Sequence, residues 1–362
     1  MQYTLRFISI VYVMLLSVGL FAHVEIIPAL LTTVKRDAWI SALLPIIFLP
    51  IWIMVIHKIV SIINHQSIIN VLKEQESSFI YYLFLLPISI FMLMNAYITA
   101  KDIIFWSQLS YMQGFSSFIL AFTLLIFCLF CTESGLFSIG ILSTILCPIV
   151  IFLGFFVSFA NIKKKHYELI FPMFSEGYLP VAKGLVYSSS PIIELFIIIF
   201  LTPVLKKHIS KKQLLTIGIL VIFLMCGPTI GAIVEFGPEQ AAKYRYPAFE
   251  QWRIISIGRY FSHADFLAIF QWLSGGVIRI SLYVLIASKI ITKGIHKAKM
   301  TRIIYAVLLI GCIYSIDQST FSFFIYEYYR PISCFFLTIH ISILALYLMK
   351  NKKKRKGEAF ER

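Results

Sequence analysis

The chain has 362 residues, 59% hydrophobic and only 14% charged, with a mean hydropathy of +0.87. That composition excludes a soluble globular enzyme, because so much apolar surface could not be covered in water. The 32 Lys and Arg against 17 Asp and Glu give a formal net charge of +15, which in such a chain bears first on membrane orientation and not on nucleic acid.

The apolar stretch from Phe7 to Val34 exceeds the roughly 7–15-residue core of a signal peptide and reads as a retained first helix. A spanning helix needs about 20 mostly apolar residues, since every backbone amide must be satisfied without water. Ten segments qualify: residues 7–34, 38–60, 79–106, 115–132, 136–160, 184–205, 213–235, 264–291, 301–319 and 324–349. They predict one all-α transmembrane domain over the whole chain, with longer polar stretches only at 161–183 and 236–262.

With both termini on one side, the loops there carry Arg6, Lys58, Lys73, four lysines from Lys206 to Lys212, the basic group from Lys289 to Arg302 and the tail KNKKKRKGEAFER. The opposite loops carry fewer basic residues, among them Lys35, Lys101, Lys163 to Lys165, Arg253 and Arg330. This bias puts both termini in the cytoplasm, and the tail at 350–362 reads as an anchor beside anionic membrane lipid. The cysteines at 128, 131, 147, 226, 312 and 334 all lie in apolar runs, and Cys128 with Cys131 forms a lone CxxC. Without a second pair at zinc-like spacing, no metal, cofactor or disulfide framework is expected.

Ten spans fit a LeuT-like plan of two inverted halves, here about 7–160 and 184–349, with a ligand site near the midplane where the first helix of each half is broken. Helix 1 carries Ser17, Gly19 and Ala22 at mid-depth with Pro28 beyond, and helix 6 carries Tyr187-Ser188-Ser189-Ser190-Pro191. Pro removes a helical hydrogen bond, and the Ser hydroxyls can satisfy what it frees. Small residues packing helices and a simple proline kink are the alternative.

Ionisable groups inside spans usually face a partner or a cavity. Glu25, Glu194, Arg279 and Asp317 stand out, Glu25 and Asp317 being close enough to span ends to read as interfacial. Glu194 lies one turn beyond Ser190, and Tyr283 one turn beyond Arg279, so each pair shares a helix face. Arg279 is open to two fates, counter-ion for Glu194 or Glu25, or ligand-facing cation. Asn95, Tyr97 and Thr99 add polar groups to helix 3, and His23 sits near the expected break in helix 1.

The stretch FGPEQAAKYRYPAFEQWRIISIGRYFSHADFLAIFQWLSGGVIRISLYVL, residues 236–285, resembles the spore germination GerAB family, the B subunits of germinant receptors. Pro238 and Glu239, Pro247 and Arg253, Gly258 with Phe261 and Asp265, and Trp272 and Tyr283 carry the likeness. KRDAW at Lys35 to Trp39 and LPVAKG at Leu179 to Gly184 are also similar, and the likeness runs in order along nearly the whole chain. His263 stands where relatives often have Arg, and Val18-Gly19-Leu20 replaces a Gly-rich pair.

The resemblance implies an amino acid-polyamine-organocation transporter fold used as a nutrient receptor in the inner membrane of dormant spores. It implies a small germinant (amino acid, nucleoside or sugar) bound by Gly19, Tyr97, Ser189, Ser190, Arg279 and Tyr283. It also implies two partners, an A subunit forming a membrane channel and a C subunit that is a lipoprotein. The main alternative is a proton-coupled transporter of amino acids or related organic ions, using Glu25 or Glu194. A polytopic acyltransferase is remote, because the eight His are scattered and only His263 and Asp265 lie close together.

Overall fold

The computed structural model describes residues 4–257, 261–262, 264–295 and 297–360. The first passage begins as α1 (Phe7–Met14), continues through two π-helical turns, Leu15–Gly19 and Ala22–Ile26, and ends as α2 (Ile27–Val34). A 3-10 turn at Lys35–Asp37 leads to α3 (Ala38–Leu43) and α4 (Pro45–Ile63). The short α5 (Ile68–Gln75) precedes α6 (Ser78–Ser110), followed by α7 (Ser117–Glu133) and α8 (Gly135–Ala160). Ser77 and Ser116 accept hydrogen bonds from the first turns of α6 and α7, satisfying amides that have no partner inside the helix.

The sixth expected span, helix 6, is α9 (Tyr178–Ile193), which contains Pro191 and tightens into a 3-10 turn, Glu194–Ile197, before α10 (Ile198–Leu201). Next comes α11 (Lys211–Phe236), opened by a Ser210–Gln213 capping box. The two short helices α12 (Pro238–Ala241) and α13 (Pro247–Arg253) and the hairpin β1 (Ser256–Ile257) with β2 (Phe261–Ser262) lead to α14 (Phe266–Ile291). The chain finishes with α15 (Ala298–Ile313), α16 (Gln318–Phe323), a π turn at Phe324–Tyr329 and α17 (Arg330–Phe360).

Among the described residues, eight helices are long and apolar enough to cross a membrane: Phe7–Leu43, Pro45–Ile63, Ser78–Ser110, Gly135–Ala160, Tyr178–Val204, Lys211–Phe236, Phe266–Ile291 and Gln318–Lys352. The fourth and ninth expected spans correspond to shorter helices, α7 with 17 residues and α15 with 16. Large apolar side chains such as Ile47 and Phe48 on α4, Phe127 and Phe130 on α7 and Phe152 and Phe155 on α8 are exposed. An outer surface of this kind suits hydrocarbon and would aggregate in water. The protein is therefore a multi-pass, all-α membrane protein.

Helix α14 is central, packing on α6, α7, α8 and the first π turn of helix 1. Gly275 makes this approach possible: a Cβ there would lie 2.9 Å from the Leu16 carbonyl oxygen and 2.8 Å from Leu20 Cβ. On the first passage, Leu5 forms a parallel bridge with Leu205, so the entry to helix 1 and the exit from α10 lie at the same end of the molecule.

The ninth span ends earlier than expected, and two cations sit differently from the sequence expectation. Asp317 is exposed and N-caps α16 by accepting from Thr320 N at 3.0 Å, because α15 ends at Ile313 and not inside a span reaching 319. Lys101 is buried, and its ammonium donates to the Cys312 and Tyr314 carbonyls at 2.7 and 2.8 Å, satisfying the open C-terminal end of α15. Arg330, expected in a loop, is only 1% exposed at the start of α17.

Candidate functional site

Arg279 lies half-way along α14, one turn beyond Gly275. Its Nη1 donates to Glu194 Oε2 at 2.7 Å and its Nη2 to Glu194 Oε1 at 3.1 Å, the two-pronged geometry that makes Arg–carboxylate pairs strong. Nη1 also reaches the Ser17 carbonyl at 2.8 Å and the Tyr283 hydroxyl at 2.6 Å, while Nη2 and Nε reach Asn95 Oδ1 at 3.0 Å and Thr99 Oγ1 at 3.2 Å. The Tyr283 hydroxyl in turn donates to Glu194 Oε2 at 2.5 Å.

A second pair lies against the first. Arg330 donates from Nη2 to Glu25 Oε2 at 2.6 Å and from Nη1 to Asn95 Oδ1 at 2.8 Å, and its Nη1 lies 3.8 Å from Glu194 Oε1. Thr99 donates to Glu25 Oε1 at 3.1 Å, so Asn95 and Thr99 tie the two pairs together. The Phe21 ring stands 4.1 Å from the Arg279 guanidinium carbon and 4.3 Å from that of Arg330, close enough for cation–π attraction to both. Arg279, Arg330 and Glu194 are each 1% exposed and Glu25 is 5% exposed. Two cations and two anions leave the cluster neutral, which is what permits charge at this depth.

The turns of helix 1 and helix 6 explain how these groups meet. Each π turn of helix 1 offers a carbonyl sideways, Ser17 to Arg279 and Glu25 to the Tyr326 hydroxyl at 3.0 Å. Glu194 is the first residue of the 3-10 turn that follows Pro191. On α6, Asn95 and Thr99 are four residues apart and share one face. Above Glu25 the network continues: Arg245 donates to Tyr326 Oη at 2.8 Å and to Asp102 Oδ1 at 2.7 Å, and Tyr246 donates to the same Asp102 oxygen at 3.2 Å.

Of the residues expected at a ligand site, the structure brings together Arg279 and Tyr283, and with them the two carboxylates weighed for charge or proton coupling, Glu194 and Glu25. Glu25 is buried and paired, not interfacial. Gly19 packs against Leu224, which a Cβ would approach to 2.6 Å. Tyr97 points to the opposite face of α6 from Asn95 and Thr99, with its ring edge-on to Phe321 and against Gly311. Ser189 is half-buried, and Ser190 bonds back to the Val186 carbonyl at 3.4 Å. Next to them, Ser188 donates to the Ser41 carbonyl at 2.7 Å and fastens α9 to α3.

His23 has its Nδ1 3.4 Å from the Leu224 carbonyl. His263 and Gly258 lie outside the described residues, while Asp265 accepts from the Tyr111 hydroxyl at 2.7 Å. Sequence reasoning missed Arg330, Phe21 and Gly275. The signal for Arg330 was available, since an Arg inside the limits of an apolar span needs a buried partner.

The free space beside the cluster is small. A cavity of about 10 Å³ is bounded by Phe21, Glu25, Thr99, Gly275 and Arg279, so the polar groups are already in contact with one another. Among the described residues, no group of three or more His, Cys, Asp or Glu could hold a metal ion.

Residues 3–323 match the protein family described as "Spore germination protein". The chain is also 34% identical over 354 residues to "Spore germination protein XB" of Bacillus anthracis, covering 97% of this chain and 99% of that protein. The chain belongs to the spore germination protein family. Membership at this level, over nearly the full length, agrees with the GerAB likeness of residues 236–285 and places the chain among non-catalytic germination proteins.

Proposed function

We propose that this family member is the germinant-sensing B subunit of a nutrient receptor, and that a small nutrient acts at the Arg279–Glu194–Arg330–Glu25 cluster. The observation that supports this most is the convergence on one neutral charge cluster of the irregular turns of helix 1, the 3-10 turn after Pro191 and the centre of α14. A ten-span, five-plus-five arrangement with helices 1 and 6 opening at these turns fits that convergence.

The mechanism follows from the saturation of Arg279, whose Nε, Nη1 and Nη2 all have acceptors. A ligand carboxylate or hydroxyl gains Arg279 only by replacing one of its present acceptors, Glu194, Asn95, Thr99, Tyr283 or the Ser17 carbonyl. Replacing Ser17 loosens the first π turn, and replacing Glu194 frees the 3-10 turn of helix 6. Binding thus favours a state in which helices 1 and 6 have shifted, and a ligand with higher affinity for that state moves the population toward it. Gly19, Ser189 and Ser190 lie on the moving segments and enter the cavity as it opens, whereas Tyr97 joins only if α6 turns as well.

The receptor passes this shift to an A subunit that forms a channel and a C subunit that is a lipoprotein, in the inner membrane of the spore with both termini cytoplasmic. The bridge between Leu5 and Leu205 supports the N-terminus sharing a side with the basic Lys206–Lys212 loop. For a proton-coupled transporter, Glu25 or Glu194 would have to be free to exchange a proton, and both are held by arginine.

Thermal stabilisation of the purified protein against a panel of amino acids, nucleosides and sugars tests the proposal, since a ligand of the folded state adds RT ln(1 + [L]/Kd). The expected result is stabilisation by one chemical class, lost with Tyr283→Phe. Stabilisation that survives Tyr283→Phe and Arg279→Lys unchanged would move the nutrient site elsewhere. Uptake of that ligand into liposomes against its gradient would make the protein a transporter.

A further inference from the structure

We propose that the crevice between α8 and α11 is a lipid site, taking one acyl chain of an anionic phospholipid whose headgroup rests on Lys163 to Lys165. The crevice holds about 410 Å³, within the range of ~300–1,000 Å³ found for small-molecule sites. It runs from Cys147 to Ser158 on one wall and from Leu220 to Gly231 on the other, roughly 16 Å at ~1.5 Å of helix rise per residue. An extended hydrocarbon chain has that shape, whereas a compact polar nutrient would leave most of the apolar wall uncovered.

Three observations select the occupant. The rims of the crevice are Ile151 and Phe155 on α8 and Leu220 and Phe223 on α11, all exposed on the apolar outer surface, so the mouth opens toward hydrocarbon. The walls are kept back by glycine: a Cβ on Gly227 would meet nothing within 4 Å, and one on Gly154 only Gln271 Nε2 at 3.6 Å.

The third observation is charge at one end. Lys165 lines the crevice there, its ammonium held by the Ser158 carbonyl and hydroxyl at 2.9 and 3.0 Å and 3.8 Å from Glu235 Oε1. Lys164 donates to the Ile254 carbonyl and to Ser256 Oγ at 3.1 Å, and Lys163 is exposed. Lys165 is the cation that lines the crevice, and Lys163 and Lys164 directly precede it in the chain, an excess of positive charge that favours a phosphate at this end.

The inner end of the crevice touches Leu15, Leu16 and Leu20, the helix-1 turns that carry Ser17 past Arg279. A chain seated there braces the first π turn from the side opposite the charge cluster, and the anionic lipid content of the membrane then acts on the same turn as the nutrient.

The test uses the full-length protein in phosphatidylcholine nanodiscs doped with phosphatidylglycerol that carries a diazirine half-way along one chain. After irradiation the label is mapped by mass spectrometry. The expected label falls on the inner wall, at Leu16, Leu20 or Gly227, is several-fold stronger than from the phosphatidylcholine analogue, and drops several-fold with Gly227→Leu. Label confined to outward residues such as Phe127, Phe130 and Phe152 would overturn the proposal, as would equal labelling by the two headgroups. Inner-wall label displaced by a water-soluble amino acid, nucleoside or sugar would give the crevice to the nutrient instead. The wild-type map decides even if Gly227→Leu fails to fold.

Discussion

The charge cluster and the crevice lie on two sides of the same stretch of helix 1, and they are built in opposite ways. Glu194, Glu25, Asn95, Thr99, Tyr283, the Ser17 carbonyl and the Phe21 ring crowd the guanidinium groups of Arg279 and Arg330, and about 10 Å³ stays free. Between α8 and α11 about 410 Å³ stays free, and most of the lining is apolar. Low dielectric accounts for the contrast. A buried charge left without a partner is expensive, so polar groups at this depth close on one another. Apolar walls carry no such penalty and can stand apart wherever lipid fills the gap. A polar ligand must therefore open the first region, while an apolar one can enter the second as it stands.

The largest effects are expected where the first region is cut. Arg330→Ala leaves Glu25 buried without its guanidinium, and Arg279→Ala does the same to Glu194; each should cost about 3–5 kcal/mol and sharply reduce the folded protein recovered from membranes. Recovery at wild-type level with an unchanged melting temperature would mean the cluster does not hold helix 1, α14 and α17 together. Tyr283→Phe removes a hydroxyl bonded to both Arg279 and Glu194 with little change of volume, and should cost roughly 1.5–3 kcal/mol in thermal unfolding.

A glycine pair then sharpens the comparison between the two regions. Gly275→Leu forces a side chain against the Leu16 carbonyl and should cost about 1–3 kcal/mol or more, together with the nutrient response. Gly227→Leu, facing open space, should change stability by less than about 1 kcal/mol. Equal losses from the two substitutions would erase the distinction between a filled region and an open one.

Much of the first region was legible in the sequence. Arg279 and Glu194 stood out because charge inside an apolar run demands an explanation, and the spacing of four placed Tyr283 on the face of Arg279. Arg330 was missed because it was counted with the loop charges although it lies inside the 324–349 span, and the burial of Glu25 was missed because its position near the end of the apolar stretch looked interfacial. Tyr97 was grouped with Asn95 and Thr99 by proximity, although two residues along a helix is more than half a turn and faces the other way. The close approach at Gly275 and the double stacking of Phe21 depend on how helices cross, which no local pattern encodes. The crevice was invisible for the same reason, since its walls come from segments far apart in the chain.

The account rests on the nutrient prising apart contacts made by the turns of helices 1 and 6, and hydrogen exchange reads that most directly. Amide exchange of the purified protein is followed with and without the nutrient that stabilises it, at residues 15–26 and 194–197. The account predicts altered protection in both turns together, absent in Tyr283→Phe. Stabilisation by nutrient with both turns unchanged would contradict it.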